Sequence, residues 1–448
     1  MLSKGPRLSY GQVAYSRNAQ LRTKTVLLAL LDISPAMDWE VVTTALHSGE
    51  DRIKLPTFIY LCIVGIVCLA QWGIAITDRL STGIKQLLSV PTMIACLLLP
   101  VMVAGQNTAL NTVLEIQAFN TVLRCLEPIY VAPMLYGIPA RLDAKELSVQ
   151  MWSGLRNTTP NNQAADASNP TPRVSRYYLL VPIMGTMILS NVVASWFATF
   201  SGEDVVAMQR NNEYGLFFAF FVFAVIYLTL VINTFGYILQ LTYLVIHGEH
   251  DYQPNEWQPL MNHPVLASSL NELWSTRWHQ VFRSIWLVIP FRPVRTLVNR
   301  IYGIRDKKKN DGATTTSRVA IAAATISVFF VSGLMHEYIA LCESGMDGYG
   351  RHLMGQECLF FTLHGVLCIV EQGVWRWFKK TSHRQWTRKL LGHVWVMAIG
   401  FLTFPWFVNA FAYWEVWHAN PFNTLTPFLL EHVWREYPLL HSVCGSLL

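Results

Sequence analysis

The chain has 448 residues, of which 52% are hydrophobic and only 14% charged, where a soluble protein carries about 25% charged residues. Many runs of roughly 20 apolar residues have the length that crosses a bilayer, and the alternating ten-residue segments of a membrane β-barrel are not seen. The net charge of +6 belongs mostly to loops that orient a membrane protein and does not call for nucleic acid, so the sequence reads as an all-α, polytopic integral membrane protein.

Residues 1–54 are polar and basic around one short apolar patch at 26–31. They read as a peripheral or interfacial arm rather than a cleavable leader, and residues 55–448 as one membrane-embedded domain. Spans are expected at 56–76 and 87–104. The next apolar region, 118–135, contains Arg124 and Glu127. It reads either as a tilted span or as a re-entrant helix, and the side of the N-terminus depends on which. Residues 140–176 form a polar loop. Its Asn157-Thr-Thr is a glycosylation sequon by pattern, but Arg141, Lys145, Arg156, Arg173 and Arg176 argue for the cytosol and an unmodified Asn157. Further spans are expected at 177–200, 216–246, 319–341, 359–378 and 394–413. Residues 285–298 are broken by Pro290 and Pro293, as in a re-entrant or surface-lying element. Residues 422–440 carry Glu431, His432, Arg435 and Glu436 and read as only partly inserted. This gives seven firm spans and up to three further elements, about 7–10 transmembrane or re-entrant helices around an intramembrane cavity.

Arg283, Arg292, Arg295, Arg300, Arg305, Lys307 and Lys308 follow Arg277 closely, and Arg376, Lys379, Lys380, Arg384, Arg388 and Lys389 come two spans later. Both stretches fall on one side, which charge makes the cytosol. Arg and Lys clusters also suit phosphate groups, so the same charges offer an entrance to an anionic cosubstrate. None of the eight cysteines forms a CxxC or a zinc spacing, and most read as buried small hydrophobes.

Two stretches stand out. Ser332-Gly-Leu-Met-His-Glu-Tyr338 lies inside an apolar run, where ionisable groups mark a functional site or face a protein interior. Ser269-Leu-Asn-Glu-Leu-Trp-Ser-Thr-Arg-Trp-His-Gln-Val-Phe-Arg283 places Trp274, Trp278 and Val281 on one helical face, with Asn271 a turn earlier and His279 and Gln280 off the stripe. Asn262-His-Pro followed by this stretch, and about sixty residues later by Ser-Gly-Leu-Met-His336, resembles the wax synthase-like branch of the membrane-bound O-acyltransferase superfamily. The form Arg277-Trp278-His279-Gln280 is more like fungal members that acylate alcohols of terpenoid or polyketide secondary metabolites. The resemblance covers about residues 250–415. It departs where the family often has Phe-Trp-Gly and this chain has Leu273-Trp274-Ser275.

The resemblance implies that His336 is the catalytic histidine and that His279 assists it. Asn271, Trp274, Arg277, Trp278, Gln280 and Arg283 become candidates for substrate and CoA binding. It implies acyl-CoA as cosubstrate, acetyl-CoA favoured, with no tightly bound cofactor or metal, a hydrophobic alcohol as acceptor, and the endoplasmic reticulum membrane as the location. The chemistry fits the residue types. An alcohol needs a base near its hydroxyl, a neutral histidine supplies one, and His279, Gln280 or Asn271 offer a donor to the oxyanion. Three other readings stay open: a wax-ester synthase using fatty acyl-CoA and a long-chain alcohol; a metal enzyme using His247-Gly-Glu-His250-Asp251; and a transporter with a His336/Glu337 relay.

Overall fold

The structure, a computed structural model, describes residues 52–152, 154–156, 173–303, 318–381, 385–418 and 423–448. Most of the N-terminal arm, Asn157, and the basic residues at 305–308 and 384 lie outside the described residues. The helices are α1 Thr57–Ile76, α2 Thr82–Met102, α3 Thr108–Leu126, α4 Ala144–Trp152, α5 Leu180–Phe197, α6 Gly202–Arg210 and α7 Tyr214–Ile246. They continue as α8 Leu270–Glu272, α9 Arg283–Trp286, α10 Arg292–Ile301, α11 Arg318–Gly348, α12 Gln356–Thr381, α13 Gln385–Tyr413 and α14 Thr426–Leu429. Among the described residues the strands are two-residue pairs only, Ile53–Lys54 with Val103–Ala104 and Val174–Ser175 with Asp251–Tyr252.

Seven helices are long and apolar enough to cross a membrane: α1, α2, Arg176–Phe197 ending in α5, α7, Arg318–Leu353 containing α11, Gln356–Trp375 within α12, and Trp386–Tyr413 within α13. They coincide with the seven spans read from hydropathy. The apolar run at 118–135 proves to be the second half of α3 followed by a π-helical turn, Glu127–Tyr136. α3 starts ten residues before that run because Asn107 caps it, accepting from Leu110 N at 2.9 Å. Its polar first turns are also satisfied inside the protein: Asn111 Oδ1 accepts from Gly105 N at 2.9 Å, and Glu115 from Arg52 at 2.9 Å.

The contacts of α3 settle its path. Near its start, Thr112 donates to Glu343, close to the C-terminal end of α11, at 3.3 Å. Near its end, Arg124 donates to Ser284 of the basic segment at 3.5 Å. Beyond it, Tyr130 donates to Gln86 O, in the second turn of α2, at 2.6 Å. The helix therefore runs end to end beside α2 and α11, with its charged groups answered inside the protein.

The two remaining uncertain stretches are short, broken helices that pack against the spans. Residues 283–301 form α9, a π-helical turn at Leu287–Phe291 and α10, held to α11 where Ser327 donates to Pro290 O at 3.3 Å. Residues 426–443 fold back on α5: Trp434 Nε1 donates to Ser195 Oγ at 2.8 Å and Leu425 N to Asn191 Oδ1 at 2.7 Å.

An aromatic core joins α5, α7, α11, α12 and α13, and a smaller one fills the α1–α3 bundle. Arg52 bridges the two regions, donating to Glu115 of α3 at 2.9 Å and to Glu343 of α11 at 2.6 Å. The segment leading into the Ser269–Arg283 stretch docks on one face of α7. Asn233 bonds both backbone groups of Met261 (2.8 and 2.9 Å), and Gln240 donates to Gln258 O at 3.3 Å. Between them Gly236 touches Leu260, whose Cγ would lie 2.9 Å from an added Cβ.

Candidate active site

The Ser332–Tyr338 stretch lies within α11 where it packs on α12. Gly333 makes the approach possible, since an added Cβ would sit 2.8 Å from Cys358 Cα and 3.2 Å from Glu357 O. The half-buried His336 ring rests 4.3 Å from Phe361 of α12 and 6.1 Å from Phe407 of α13, centroid to centroid. His336 Nδ1 lies 2.8 Å from Ser332 O. A carbonyl only accepts, so Nδ1 carries the proton, and in the neutral ring Nε2 keeps a bare lone pair.

Glu337 does not join His336. Its carboxylate accepts from Tyr349 Oη at 2.6 Å, Gly355 N at 3.2 Å and Cys358 N at 3.0 Å, closing the N-terminus of α12, where a carboxylate is favoured. The His/Glu relay is corrected on that ground: adjacent helical residues diverge by about 100°, and Glu337 is spent on a neighbouring helix.

The second stretch is anchored by another buried carboxylate that sequence reasoning missed. Glu371 of α12 accepts from Leu270 N, Asn271 N and Asn271 Nδ2 at 2.8, 3.0 and 2.9 Å. Asn271 Nδ2 also donates to Cys368 O at 2.9 Å, and its Oδ1 accepts from Gln372 at 2.8 Å, so the Asn271 amide is committed to α12. Arg277 holds Glu272 Oε1 at 2.7 Å and donates to the carbonyls of Asn262 and His263 at 3.0 and 3.3 Å. Burial works to raise Glu272, but Ser268 and Arg277 outweigh it and hold the carboxyl below its ordinary range.

The helix expected through Val281 ends at Arg277, after a π-helical turn over Leu273–Arg277. The backbone that follows pairs with residues 260–262 instead: Asn262 N donates to Arg277 O at 2.8 Å, and Gln280 N to Leu260 O at 3.2 Å. Trp274 and Trp278 still meet, 5.3 Å apart. Trp274 also lies 5.7 Å from Phe361 and 5.4 Å from His364, so Phe361 joins the two stretches. His279 sits between Trp278 and Phe282, at 6.1 and 5.5 Å. Burial, and then the nearby His336, push the His279 ring down to about 4, so it is neutral at physiological pH. Gln280 donates to Trp278 O at 2.5 Å. Trp274 Nε1, His279 Nδ1 and Gln280 Oε1 are buried without a hydrogen-bond partner. Arg283 is exposed.

The fold thus brings His336, His279, Trp274, Trp278 and Gln280 to one aromatic-walled region, makes Asn271 and Arg277 its fasteners, and leaves Arg283 at its edge. The His247–Asp251 spacing is engaged elsewhere: His247 stacks on Tyr243 at 3.9 Å and Glu249 pairs with Arg156 at 2.8 Å. Two amides seven residues apart in an apolar helix, Asn233 and Gln240, were a sequence signal for the docking of 258–261.

Residues 257–363 match the model of the Membrane bound O-acyl transferase family. The chain is 31% identical over 120 residues to a long-chain-alcohol O-fatty-acyltransferase of Simmondsia chinensis, which covers 26% of this chain and 28% of that protein. It is 26% identical over 153 residues to a probable long-chain-alcohol O-fatty-acyltransferase 7 of Arabidopsis thaliana, covering 33% of this chain and 38% of the relative. The match therefore spans well under half the length of either.

Proposed function

We propose that this chain is a membrane O-acyltransferase, moving an acyl group from acyl-CoA to the hydroxyl of a hydrophobic alcohol. The observation that carries the reading is the meeting of His336 and the His279 stretch across Phe361, inside the segment that resembles the family. His336 Nε2 takes the hydroxyl proton as the alcohol oxygen bonds to the thioester carbonyl carbon. The oxyanion of the tetrahedral intermediate is met by the buried Trp274 indole N–H and by neutral His279, donors that lack protein partners. The C–S bond then breaks, and the proton on His336 passes to the leaving thiolate. The rings of Trp274, Phe361 and Phe407 around the site limit the access of water, which would otherwise compete as the acceptor.

CoA approaches from the basic face, where Arg283 lies, and the alcohol arrives from the bilayer. The form of the Arg277–Gln280 motif favours acetyl-CoA and a secondary-metabolite alcohol. The names of the curated relatives favour fatty acyl-CoA and a long-chain alcohol. The endoplasmic reticulum is the membrane proposed. Microsomes given labelled acetyl-CoA or palmitoyl-CoA, with a panel of terpenoid, polyketide and fatty alcohols, decide between the donors. Labelled ester is expected from one of them. No ester from either, together with no CoA binding by the purified protein, overturns the reading.

A further inference from the structure

A pocket of about 310 Å³ lies between α5, α7 and the segment 259–265, lined in part by Thr186, Thr229, Asn233, Tyr237, Met261 and His263. That is the lower end of the volume range of ligand sites. Thr186 sits midway along Arg176–Phe197, and residues 226–237 occupy the middle of α7, so the pocket lies at mid-membrane depth. Irregular backbone such as 259–265 is tolerated at that depth only where protein buries it or where it lines a cavity. Asn233 supplies the burial by bonding both backbone groups of Met261. The other polar groups are not needed for that task. Thr229, Asn233 and Tyr237 recur every four residues and so share one face of α7.

The hydrogen-bonding character of this stripe limits its ligand. Thr186 and Thr229 spend their protons on Pro182 O and Val225 O, both at 2.7 Å; the Thr186 hydroxyl also accepts from Thr234 at 2.7 Å, so Thr229 offers the more open oxygen lone pairs. Tyr237 brings a phenol able to donate and accept. Among the described residues no Lys, Arg, Asp or Glu lines the pocket, which disfavours a phosphate, carboxylate or ammonium at this depth. A hydroxyl complements the stripe, since it donates to a threonine oxygen and accepts from Tyr237. The lining includes neither His336 nor His279.

We infer that this pocket is a second ligand site, which binds the hydroxyl end of a neutral alcohol dissolved in the bilayer and leaves its hydrocarbon body among the lipids. The site stands whether or not acyl transfer is the reaction. The occupant is either a fatty alcohol or a membrane sterol.

The test uses the purified full-length chain in lipid nanodiscs and hexadecanol bearing a photoreactive diazirine next to its hydroxyl end. Label is expected within 226–237 or 259–265. Unlabelled hexadecanol or cholesterol should displace it, the better competitor identifying the source, and hexadecane and palmitate should not. Tyr237→Phe, which removes one oxygen and keeps the ring, should lower labelling at least fivefold; Thr229→Val, in which the helix bond to Val225 is also lost, should do so less. His336→Ala should label like the wild type. Displacement by hexadecane equal to that by hexadecanol, wild-type labelling of Tyr237→Phe, or loss of label in His336→Ala would each overturn the inference. A wild-type chain that labels as expected but transfers no acyl group would leave the pocket standing and remove the transfer reading.

Discussion

Glu337 and His336, neighbours in Ser332–Tyr338, are engaged in different places. Glu337 ties α11 to the start of α12 through three hydrogen bonds, while His336 faces aromatic rings with its Nδ1 proton fixed on Ser332 O. Glu337→Ala should therefore cost stability, about 1–3 kcal/mol for each buried donor left unpaired, seen as a lower Tm in detergent, while turnover per folded molecule changes little. His279 carries a pH prediction. Its ring sits at about 4, against about 6.5 in an unfolded chain. Above pH 6.5 neither state binds the proton. Between 6.5 and 4 only the unfolded chain does, so stability falls as pH falls. His279→Gln should lose less Tm than the wild type between pH 7.5 and 5; equal losses would place the pH dependence elsewhere. Both histidines were legible because their motifs are local. Glu371 and the commitment of Asn271 were not, because donor and acceptor lie 100 residues apart and nothing local pairs them.

At the scale of elements, hydropathy located the seven apolar spans, because a lipid-facing helix advertises itself through composition. It left α3 undecided, because the charge of Glu115 is answered by Arg52 and that of Arg124 by the side chains of Asn120 and Ser284 rather than removed. The path of α3 along the full length of α2 predicts that it crosses the membrane as an eighth helix. Single cysteines replacing Arg79 in the α1–α2 turn and Tyr302 after α10 should react with an impermeant maleimide from the same side of sealed microsomes, and one replacing Met354 before α12 from the other; all three positions are exposed. Arg79→Cys and Met354→Cys labelling together would remove α3 from the crossing helices. The motif glycine also acts at this scale: Gly333→Val would force α11 and α12 apart at Cys358, displacing His336 from Phe361, and should lower both Tm and transfer.

At the scale of the whole molecule, the N-terminal bundle is fastened to the helix that carries His336 by one buried guanidinium between two carboxylates, with side chains no more than 3% exposed. Removing one partner of such a cluster leaves uncompensated charge, so Arg52→Ala should cost about 3–5 kcal/mol, measurable as loss of folded protein on size exclusion. Nothing in the sequence announced this cluster, since Arg52 and Glu343 are 291 residues apart. Class and layout were legible because lipid constrains composition everywhere, whereas the joints depend on which few polar groups find one another. The proposed function turns on the lone pair of His336, and that is what should be measured first: ester formation from labelled acyl-CoA in microsomes carrying wild type, His336→Ala or Glu337→Gln, normalised to folded protein. His336→Ala is expected to fall by about 100-fold or more, the scale of a general base, with Glu337→Gln near wild type. Near-wild-type transfer by His336→Ala would contradict the account.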